Sequence, residues 1–234
     1  MADIYSHDLI AKFQYALNNA WGYIWGQAGA LWTQAKQNAA TREQTVQYGQ
    51  QWVGHHVADC SGLFTWAFKE LGGYMYHGSN TMWDKYCNAK GSLKNGQRTD
   101  GQELKPGTAV FCYDEDTKKR SHVGLFIGNG LVIEAAGTKQ GVITSNVSNK
   151  KWEEWGELKG VIFNGGDVPV PEGYAVVTGK RVALRKAPTT QASIIMRINT
   201  GEEVKLETPP PCEWDYASYK GKTGWMMKEF LKEG

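Results

Sequence analysis

The 234-residue sequence lacks long apolar runs, paired cysteines and any large excess of one charge. No stretch approaches the roughly 20 apolar residues of a membrane-spanning helix, and the N-terminus has no basic segment followed by a continuous apolar one. We therefore expect no membrane insertion and no secretory signal, and a chain made in the cytoplasm. A formal net charge of +2 indicates no strong attraction to nucleic acid, so nucleic acid is not expected as a partner.

Cysteine is scarce and scattered. The four cysteines form no C-x-x-C pair, which excludes the common zinc-finger spacing and a dense disulfide framework. We expect Cys87, Cys112 and Cys212 to be small apolar side chains. Cys60 differs, because it stands between an aspartate and a Ser-Gly pair where a helix should begin. A core residue, a metal ligand, half of a disulfide and a nucleophile all remain open for it.

Turn-forming residues concentrate in one stretch, residues 164–173 ("NGGDVPVPEG"), which combines glycine, proline and acidic residues. This composition is typical of a stiff polar connector. It predicts a first domain over residues 1–165, a linker over residues 166–173 and a second domain over residues 174–234.

Hydrophobic periodicity in the first domain predicts an α+β fold. Apolar residues recur with a helical period over residues 10–20, and the stretch after Cys60 is apolar nearly all round, as in a buried helix. Residues 30–53 predict one or two amphipathic helices, with a polar loop as the alternative, and residues 74–103 look like a loop. Five strand-like segments follow later in the domain.

Cys60 has the sequence surroundings of a nucleophile. A thiol attacks only as its thiolate, and the unpaired N–H groups and dipole at a helix start favour that anion. Such a nucleophile also needs a base, usually histidine, and a partner that orients the base. The histidines available for this role are His7, His55, His56, His77 and His122.

His122 opens the segment "HVGLFIGNGLVIEAAG", which predicts a β-hairpin. With a three-residue loop over residues 128–130, Leu125 faces Ile133 on an apolar face, while His122 and Glu134 share the other face. As diagonal neighbours they lie roughly 7–8 Å apart at the backbone and can meet by their side chains. A two-residue turn would instead place Glu134 opposite Leu125. Because the buried pattern sets the register, we predict the three-residue loop.

Three stretches, "DCSG" at a helix start, "LKPGTAVF" and "HVGLFIGNGLVIEA", together resemble the NlpC/P60 family of bacterial cell-wall cysteine peptidases. The resemblance covers residues 57–136 well and residues 10–163 loosely. It implies a papain-like fold in which Cys60 is the nucleophile, His122 is the base and Glu134 orients the base. The third residue of the family is most often histidine and sometimes another polar residue, so Glu134 departs from the commonest choice.

The resemblance also implies residues that bind the substrate. Tyr23, in "YIWG", matches a family tyrosine that lines the site near the attacked carbonyl and helps to stabilise the oxyanion. Asp59 and Ser61 match residues that bind the free amino end of the substrate peptide. The link between the tyrosine motif and the cysteine is longer than usual for the family, so residues 30–53 look inserted.

The second domain carries six short strand-like segments, which are typical of a small barrel. Its stretches "RVALRKAPT", "INTGEEV" and "WDYASYKGKTGW" are similar to bacterial SH3-like (SH3b) domains, which commonly bind cell-wall peptide. The candidate contacts are Trp214, Tyr216, Tyr219 and Trp225. A purely structural appendage is the alternative.

The two resemblances together imply an α+β papain-like catalytic domain plus a small all-β SH3-like barrel. The implied reaction is cleavage of the wall stem peptide after γ-linked D-glutamate, next to a diamino acid. We expect peptidoglycan stem peptides as the partner, no cofactor or metal, and a monomer. Since no export signal is visible, a phage or prophage lysin released through a holin, or another export route, would bring the enzyme to the wall.

Several alternatives remain open. The adjacent His55 and His56 stand near Asp59 and Cys60 and suggest zinc, although no H-x-x-x-H spacing supports such a site. Glu134 could be a solvated strand residue. A CHAP-type amidase or cross-bridge endopeptidase uses the same order of cysteine and histidine. A protein with an inactive site could bind the wall without cleaving it.

Overall fold

The computed structural model describes residues 4–128, 130–148, 151–163, 174–186, 189–208 and 214–233. The chain divides into two compact units, Met1–Asn164 and Gly165–Gly234. The predicted linker, residues 166–173, lies outside the described residues, as does Cys212.

Short helices and short strands alternate in the first unit. Its helices are α1 (Ser6–Asn18), α2 (Gln34–Asn38), α3 (Glu43–Tyr48), α4 (Cys60–Glu70) and α5 (Ser79–Tyr86), with a 3₁₀ turn at Gly49–Trp52. Its strands are β1 (Ile4–Tyr5), β2 (Ala28–Leu31), β3 (His56–Ala58), β4 (Cys87–Lys94), β5 (Gln97–Arg98), β6 (Ala109–Asp114), β7 (Lys119–Gly128), β8 (Leu131–Gly137), β9 (Gly141–Asn146), β10 (Glu154–Leu158) and β11 (Val161–Ile162). The unit is α+β, as predicted. In the part of the chain that the structure describes, no helix is long and apolar enough to span a bilayer.

One antiparallel sheet organises this unit, in the strand order β5-β4-β10-β6-β7-β8-β9. Side chains alternate between its two faces along each strand. Val123 and Leu125 of β7 lie in one core cluster with Phe64 of α4. Phe126 lies in a second cluster, which contains Trp152. Both faces of β7 are therefore covered, one of them by the helix that Cys60 begins.

Helix α4 has defined caps at both ends. Asp59 is the N-cap, and its Oδ1 accepts a hydrogen bond from the N–H of Gly62 at 2.7 Å. At the other end the N–H of Gly73 donates to the carbonyl of Phe68 at 2.8 Å, and Gly72 has a φ of +74°. These are the features of a Schellman C-cap, which requires the positive φ that glycine supplies.

Residues 30–53 contain α2, α3 and the 3₁₀ turn, which confirms the prediction of helices over that of a polar loop. The strand pair of β2 with β3, just before α4, was not predicted, because the Ala-Gly-Ala-Leu sequence of β2 has low β-propensity. Trp32 Nε1 donates to Gln37 Oε1 at 2.9 Å, within the segment. Trp52 Nε1 donates to the carbonyl of Thr138 at 2.6 Å, which fastens the segment to the turn between β8 and β9.

The prediction of a loop over residues 74–103 was wrong, since these residues contain α5, β4 and β5. Strand β4 alternates between half-buried and exposed residues, most of them small or polar, and Leu93 is its one fully buried side chain. The composition of β4 does not favour a strand. Its pairing with β10 on one edge and with β5 on the other stabilises the extended conformation.

The second unit consists of strands, as predicted. They are β12 (Tyr174–Val177), β13 (Val182–Arg185), β14 (Ile194–Ile198), β15 (Glu203–Thr208), β16 (Trp214–Tyr219), β17 (Lys222–Met227) and β18 (Leu231–Glu233), with a 3₁₀ turn at Lys228–Phe230. They form one antiparallel sheet in the order β14-β13-β17-β16-β15-β12-β18. Its separate core includes Val177, Leu184, Ile198, Val204 and Met226.

Candidate active site

Cys60 is the first residue of α4 and directly follows the N-cap Asp59. Its exposed fraction is 9%, and it lines a cleft of about 260 Å³. The unpaired N–H groups and the dipole at the start of this 11-residue helix favour a negative charge at its first turn. The position at a helix start is therefore the one that the sequence predicts, and it suits a thiolate.

Strands β7 and β8 form the predicted hairpin, in which Leu125 pairs with Ile133. This pairing confirms the predicted register. His122 and Glu134 consequently share a face, and His122 Nε2 lies 2.6 Å from Glu134 Oε2. Glu134 is only 1% exposed, which contradicts the alternative of a solvated strand residue.

The turn of the hairpin differs from the prediction in one detail. Gly128 pairs with Leu131, and a bulge falls between Phe126 and Gly128. The bulge supplies the extra residue that a three-residue loop was expected to provide, so the register of the strands is the same. Asn129 lies outside the described residues.

The imidazole of His122 is held between several partners. Its ring stacks on Trp152, with 5.6 Å between centroids and 23° between planes, and it lies close enough to Cys60 for the thiol to raise its pKa. Burial alone would raise the pKa of Glu134, but hydrogen bonds from His122, Lys151 and Ser145 lower that pKa to about 2. An ionised carboxylate can only accept hydrogen bonds, so Nε2 of His122 carries the proton that is donated to Glu134. Nδ1 is then the nitrogen available to the thiol.

The pKa of His122 reflects two opposing effects. Burial lowers it, whereas the hydrogen bonds and negative charges of Cys60 and Glu134 raise it, and together they set the pKa at about 9. Protonated imidazole is therefore favoured near neutral pH. An imidazolium beside the sulfur is the state from which a cysteine–histidine pair can attack as thiolate and donate a proton.

Lys151 is a partner of Glu134 that the sequence did not reveal. Its Nζ donates to Oε1 of Glu134 and, at 2.6 Å, to Oε2. Its position in a polar stretch just before β10 carries no periodic signal that would have placed it next to a carboxylate on β8.

Tyr23 lines the same cleft as Cys60. Burial, together with the charges of Cys60 and Asp59, raises the pKa of its phenol, despite the opposing effect of Arg42. The hydroxyl group therefore stays protonated and can donate a hydrogen bond into the cleft.

The carboxylate of Asp59 is buried and has several donors. It accepts hydrogen bonds from the backbone N–H groups of Gly62 and Gly26, both at 2.7 Å, and from Ser61 Oγ at 3.2 Å. His77 Nε2 lies 2.8 Å from each of its oxygens. Burial would raise the pKa of Asp59, but these bonds, led by that of His77, lower it. The carboxylate thus anchors the start of α4 as well as facing the cleft.

The contact of His77 with Asp59 is a second feature that the sequence did not reveal, although His77 was among the histidines considered as the base. It lines the cleft, and its hydrogen bond to Asp59 raises its pKa against the opposing effect of burial. The full lining of the cleft is Tyr23, Trp25, Gly26, Asp59, Cys60, Ser61, His77, Gly78, Ser79 and Ser121. All the predicted substrate-binding residues are therefore among those that border it.

The adjacent His55 and His56 are engaged elsewhere. Nδ1 of His55 lies 3.1 Å from the carbonyl of Ala20, and Nδ1 of His56 lies 2.8 Å from the carbonyl of Gly29. Within the described ranges, no group of three or more His, Cys, Asp or Glu side chains could hold a metal ion. Neither histidine borders the cleft.

Two other cysteines differ from Cys60 in their surroundings. Cys87 and Cys112 are half-buried and pack against the two core clusters of the first unit. Burial raises the pKa of each thiol to about 12, so both stay protonated. The prediction that they act as small apolar side chains is confirmed.

Comparison with known proteins gives consistent results. The model of the NlpC/P60 family matches residues 23–158, which is more than half of the chain. Over 95 residues the chain is 28% identical to "Murein DD-endopeptidase MepH" of Escherichia coli (strain K12), covering 41% of this chain and 32% of that protein.

Two solved structures are also similar. The peptidoglycan hydrolase RipB from Mycobacterium tuberculosis is 26% identical, with 64% of this chain and 66% of that chain covered and a TM-score of 0.38. NlpC1 from Trichomonas vaginalis is 20% identical, with 64% and 45% covered and a TM-score of 0.42.

The first unit places a cysteine at the start of a helix and a histidine on the antiparallel sheet that packs against this helix. The site is therefore of the cysteine–histidine class. The chain belongs to the NlpC/P60 family, as the match over residues 23–158 shows. It spans about a third of the length of its curated relative MepH, with 32% of that protein covered.

Proposed function

We propose that the protein is a peptidoglycan hydrolase that cleaves a peptide bond in the wall stem peptide, as a cysteine endopeptidase. The observation that carries the proposal is the placement of His122 between Cys60, whose thiol raises its pKa, and the buried Glu134, whose Oε2 lies 2.6 Å from its Nε2. Membership of the NlpC/P60 family and the name of MepH support the substrate class.

The reaction proceeds in two halves. The thiolate of Cys60 attacks the carbonyl carbon, and the negative charge that develops on the carbonyl oxygen is stabilised by backbone N–H groups at the start of α4 and by the Tyr23 hydroxyl. The imidazolium of His122 then protonates the leaving amine as the C–N bond breaks, which leaves a thioester. Water, deprotonated by His122, attacks the thioester and releases the acid and the thiolate.

The finer substrate preference follows the family resemblance. We propose cleavage after γ-linked D-glutamate next to a diamino acid, with Asp59 and Ser61 binding the free amino end of the peptide. Both residues line the cleft beside Cys60, and Asp59 is ionised, which suits contact with an ammonium group.

The second unit is proposed to be an SH3-like module that holds the enzyme on its insoluble substrate and so raises its local concentration. Its all-β sheet with a separate core supports this assignment. Of the candidate contacts, Tyr219 packs against that core and donates a hydrogen bond to Glu202. The side chains of the other three candidates, Trp214, Tyr216 and Trp225, lie outside the described part. We expect a monomer acting at the bacterial wall, released by phage lysis or exported by another route.

The decisive experiment is digestion of purified wall by the wild type and by Cys60→Ala, followed by mass spectrometry of the muropeptides. We expect new amino termini on the diamino acid with the wild type and none with Cys60→Ala, which should still bind the wall. Release of peptide from an intact lactyl group would instead identify an amidase of CHAP type. Unchanged lysis by Cys60→Ala would refute the mechanism, and inhibition by a chelator would point to a metal.

A further inference from the structure

We propose that Lys151 is a positioning residue of this site, which keeps Glu134 ionised while the charge on His122 changes during the reaction. The inference rests on the proposed cysteine peptidase function. It assigns a role to a side chain that lies outside the cleft lining and reaches the chemistry only through Glu134 and His122.

The Glu134 carboxylate bonds to two partners at once, Lys151 and His122. Its side chain is completely buried, and the ammonium group of Lys151 donates to both of its oxygens. Oε2 lies 2.6 Å from Lys151 Nζ and 2.6 Å from His122 Nε2. One carboxylate is therefore held between an ammonium group and an imidazole.

Trp152 fixes the arrangement from one side. Its indole ring stacks on His122, and Lys151 Nζ lies 4.7 Å from the centroid of an indole ring of the same residue. The side chain of Lys151 is 36% exposed, so its ammonium group keeps part of its hydration while it bonds to the buried carboxylate. The cation and the imidazole are thus held in fixed positions around Glu134.

The charge balance explains why a cation is useful here. While His122 is protonated, Glu134 has two positive partners. Once His122 has given its proton to the leaving amine, a buried carboxylate without another cation would be strongly unfavourable. Glu134 would then either take up a proton or hold the imidazolium too firmly for proton transfer. The ammonium group of Lys151 gives Glu134 a positive partner whether or not His122 carries its proton.

The neighbouring groups do not supply such a charge. The other titratable groups near the pair are Cys60, Cys112 and Glu153, and Ser145 adds a neutral hydrogen bond to Glu134. Of these neighbours and Lys151, the lysine alone brings an ammonium group to Glu134.

The test compares Lys151→Met and Lys151→Gln, which remove the charge, with Lys151→Arg, which retains it. The measurement is the pH midpoint at which His122 loses its proton, followed by NMR of its ring. The rate at which iodoacetamide alkylates Cys60, followed by peptide mass spectrometry over the same pH range, gives a second readout. Neither readout needs a wall substrate.

We expect the midpoint to rise by about one pH unit in the two neutral variants, because the imidazolium is no longer opposed by a nearby cation, a roughly tenfold change in proton affinity. Turnover should fall about tenfold, since His122 becomes a weaker acid. Lys151→Arg should resemble the wild type. The matched control is Lys118→Met, which removes an exposed lysine paired with Glu115 and should change nothing.

An unchanged or lowered midpoint in either folded neutral variant would overturn the inference, as would an equal rise in Lys151→Arg. Thermal melting shows which variants fold, and Lys151→Gln retains a hydrogen-bond donor if Lys151→Met does not fold. A raised midpoint in a protein that does not cleave wall would refute the proposed function alone. Cleavage that needs Cys60, without a raised midpoint, would refute the role of Lys151 alone.

Discussion

Two histidine–carboxylate pairs lie close to Cys60, and their surroundings differ. In one pair, His122 is bonded to the buried Glu134 and also reaches the thiol. In the other pair, His77 lies 2.8 Å from both oxygens of Asp59, which also accepts two backbone N–H groups around the start of α4. A histidine beside a carboxylate is therefore not in itself a sign of catalysis. A catalytic role also requires that the imidazole lies next to the nucleophile.

The two carboxylates are also stabilised differently. Glu134 is stabilised by side chains, His122 and Lys151, whose charges can matter to the reaction. Asp59 is stabilised by His77 and by two backbone N–H groups, one of which belongs to the first turn of α4. We therefore expect changes in the first pair to act mainly on turnover and changes in the second pair to act mainly on stability and on binding of the amino end of the peptide.

The largest expected effect separates the two histidines. His122→Ala should lower turnover by about 10³–10⁴-fold, because it removes the base and proton donor. His77→Ala should lower turnover by about tenfold at most, because its bonded nitrogen faces Asp59 rather than the sulfur. Hydrolysis rates on purified wall, with each variant checked for folding, measure the contrast. Equal losses in the two variants would remove the distinction between the pairs.

The sequence was sufficient to predict the first pair because both members lie in one hairpin. Period-two alternation and a glycine-containing turn set the register locally, so the meeting of His122 and Glu134 followed from paired positions 12 residues apart. The N-cap Asp59 and the start of α4 at Cys60 likewise carry local signals.

The remaining contacts could not be predicted, since they join different elements through irregular chain. His77 precedes α5 and meets Asp59 at the start of α4, whereas Lys151 precedes β10 and meets Glu134 on β8. No periodicity links these positions, and the packing of the sheet brings them together. Strand β4 could not be predicted for the same reason, because its strand conformation depends on pairing with the distant β10.

The next effect concerns stability. Asp59→Ala should lower the free energy of unfolding by about 2–4 kcal/mol, because a helix N-cap is lost and one buried and one partly buried N–H group lose their acceptor. Ser61→Ala, which removes one hydrogen bond to that carboxylate, should cost only about 1 kcal/mol. Urea denaturation at neutral pH measures both changes. A cost for Asp59→Ala no greater than for Ser61→Ala would show that the second pair is not an anchor for α4.

The smallest effect is a pH dependence that distinguishes the pairs by titration. The pKa of His122 is raised from 6.5 to about 9, so the stability that its bonds contribute is fully present below pH 6.5 and is lost as the pH rises through about 9. The pKa of Glu134 is lowered from 4.5 to about 2, so its contribution is present above pH 4.5 and is lost as the pH falls through about 2.

Above pH 9 the rate should fall about tenfold per pH unit, since His122 no longer carries the proton for the leaving amine. His77→Gln should leave that limb of the kcat/KM profile in place, because Asp59 rather than Cys60 sets the protonation of His77. A basic limb near pH 6.5, or one that moves with His77→Gln, would show that His122 is not the proton donor.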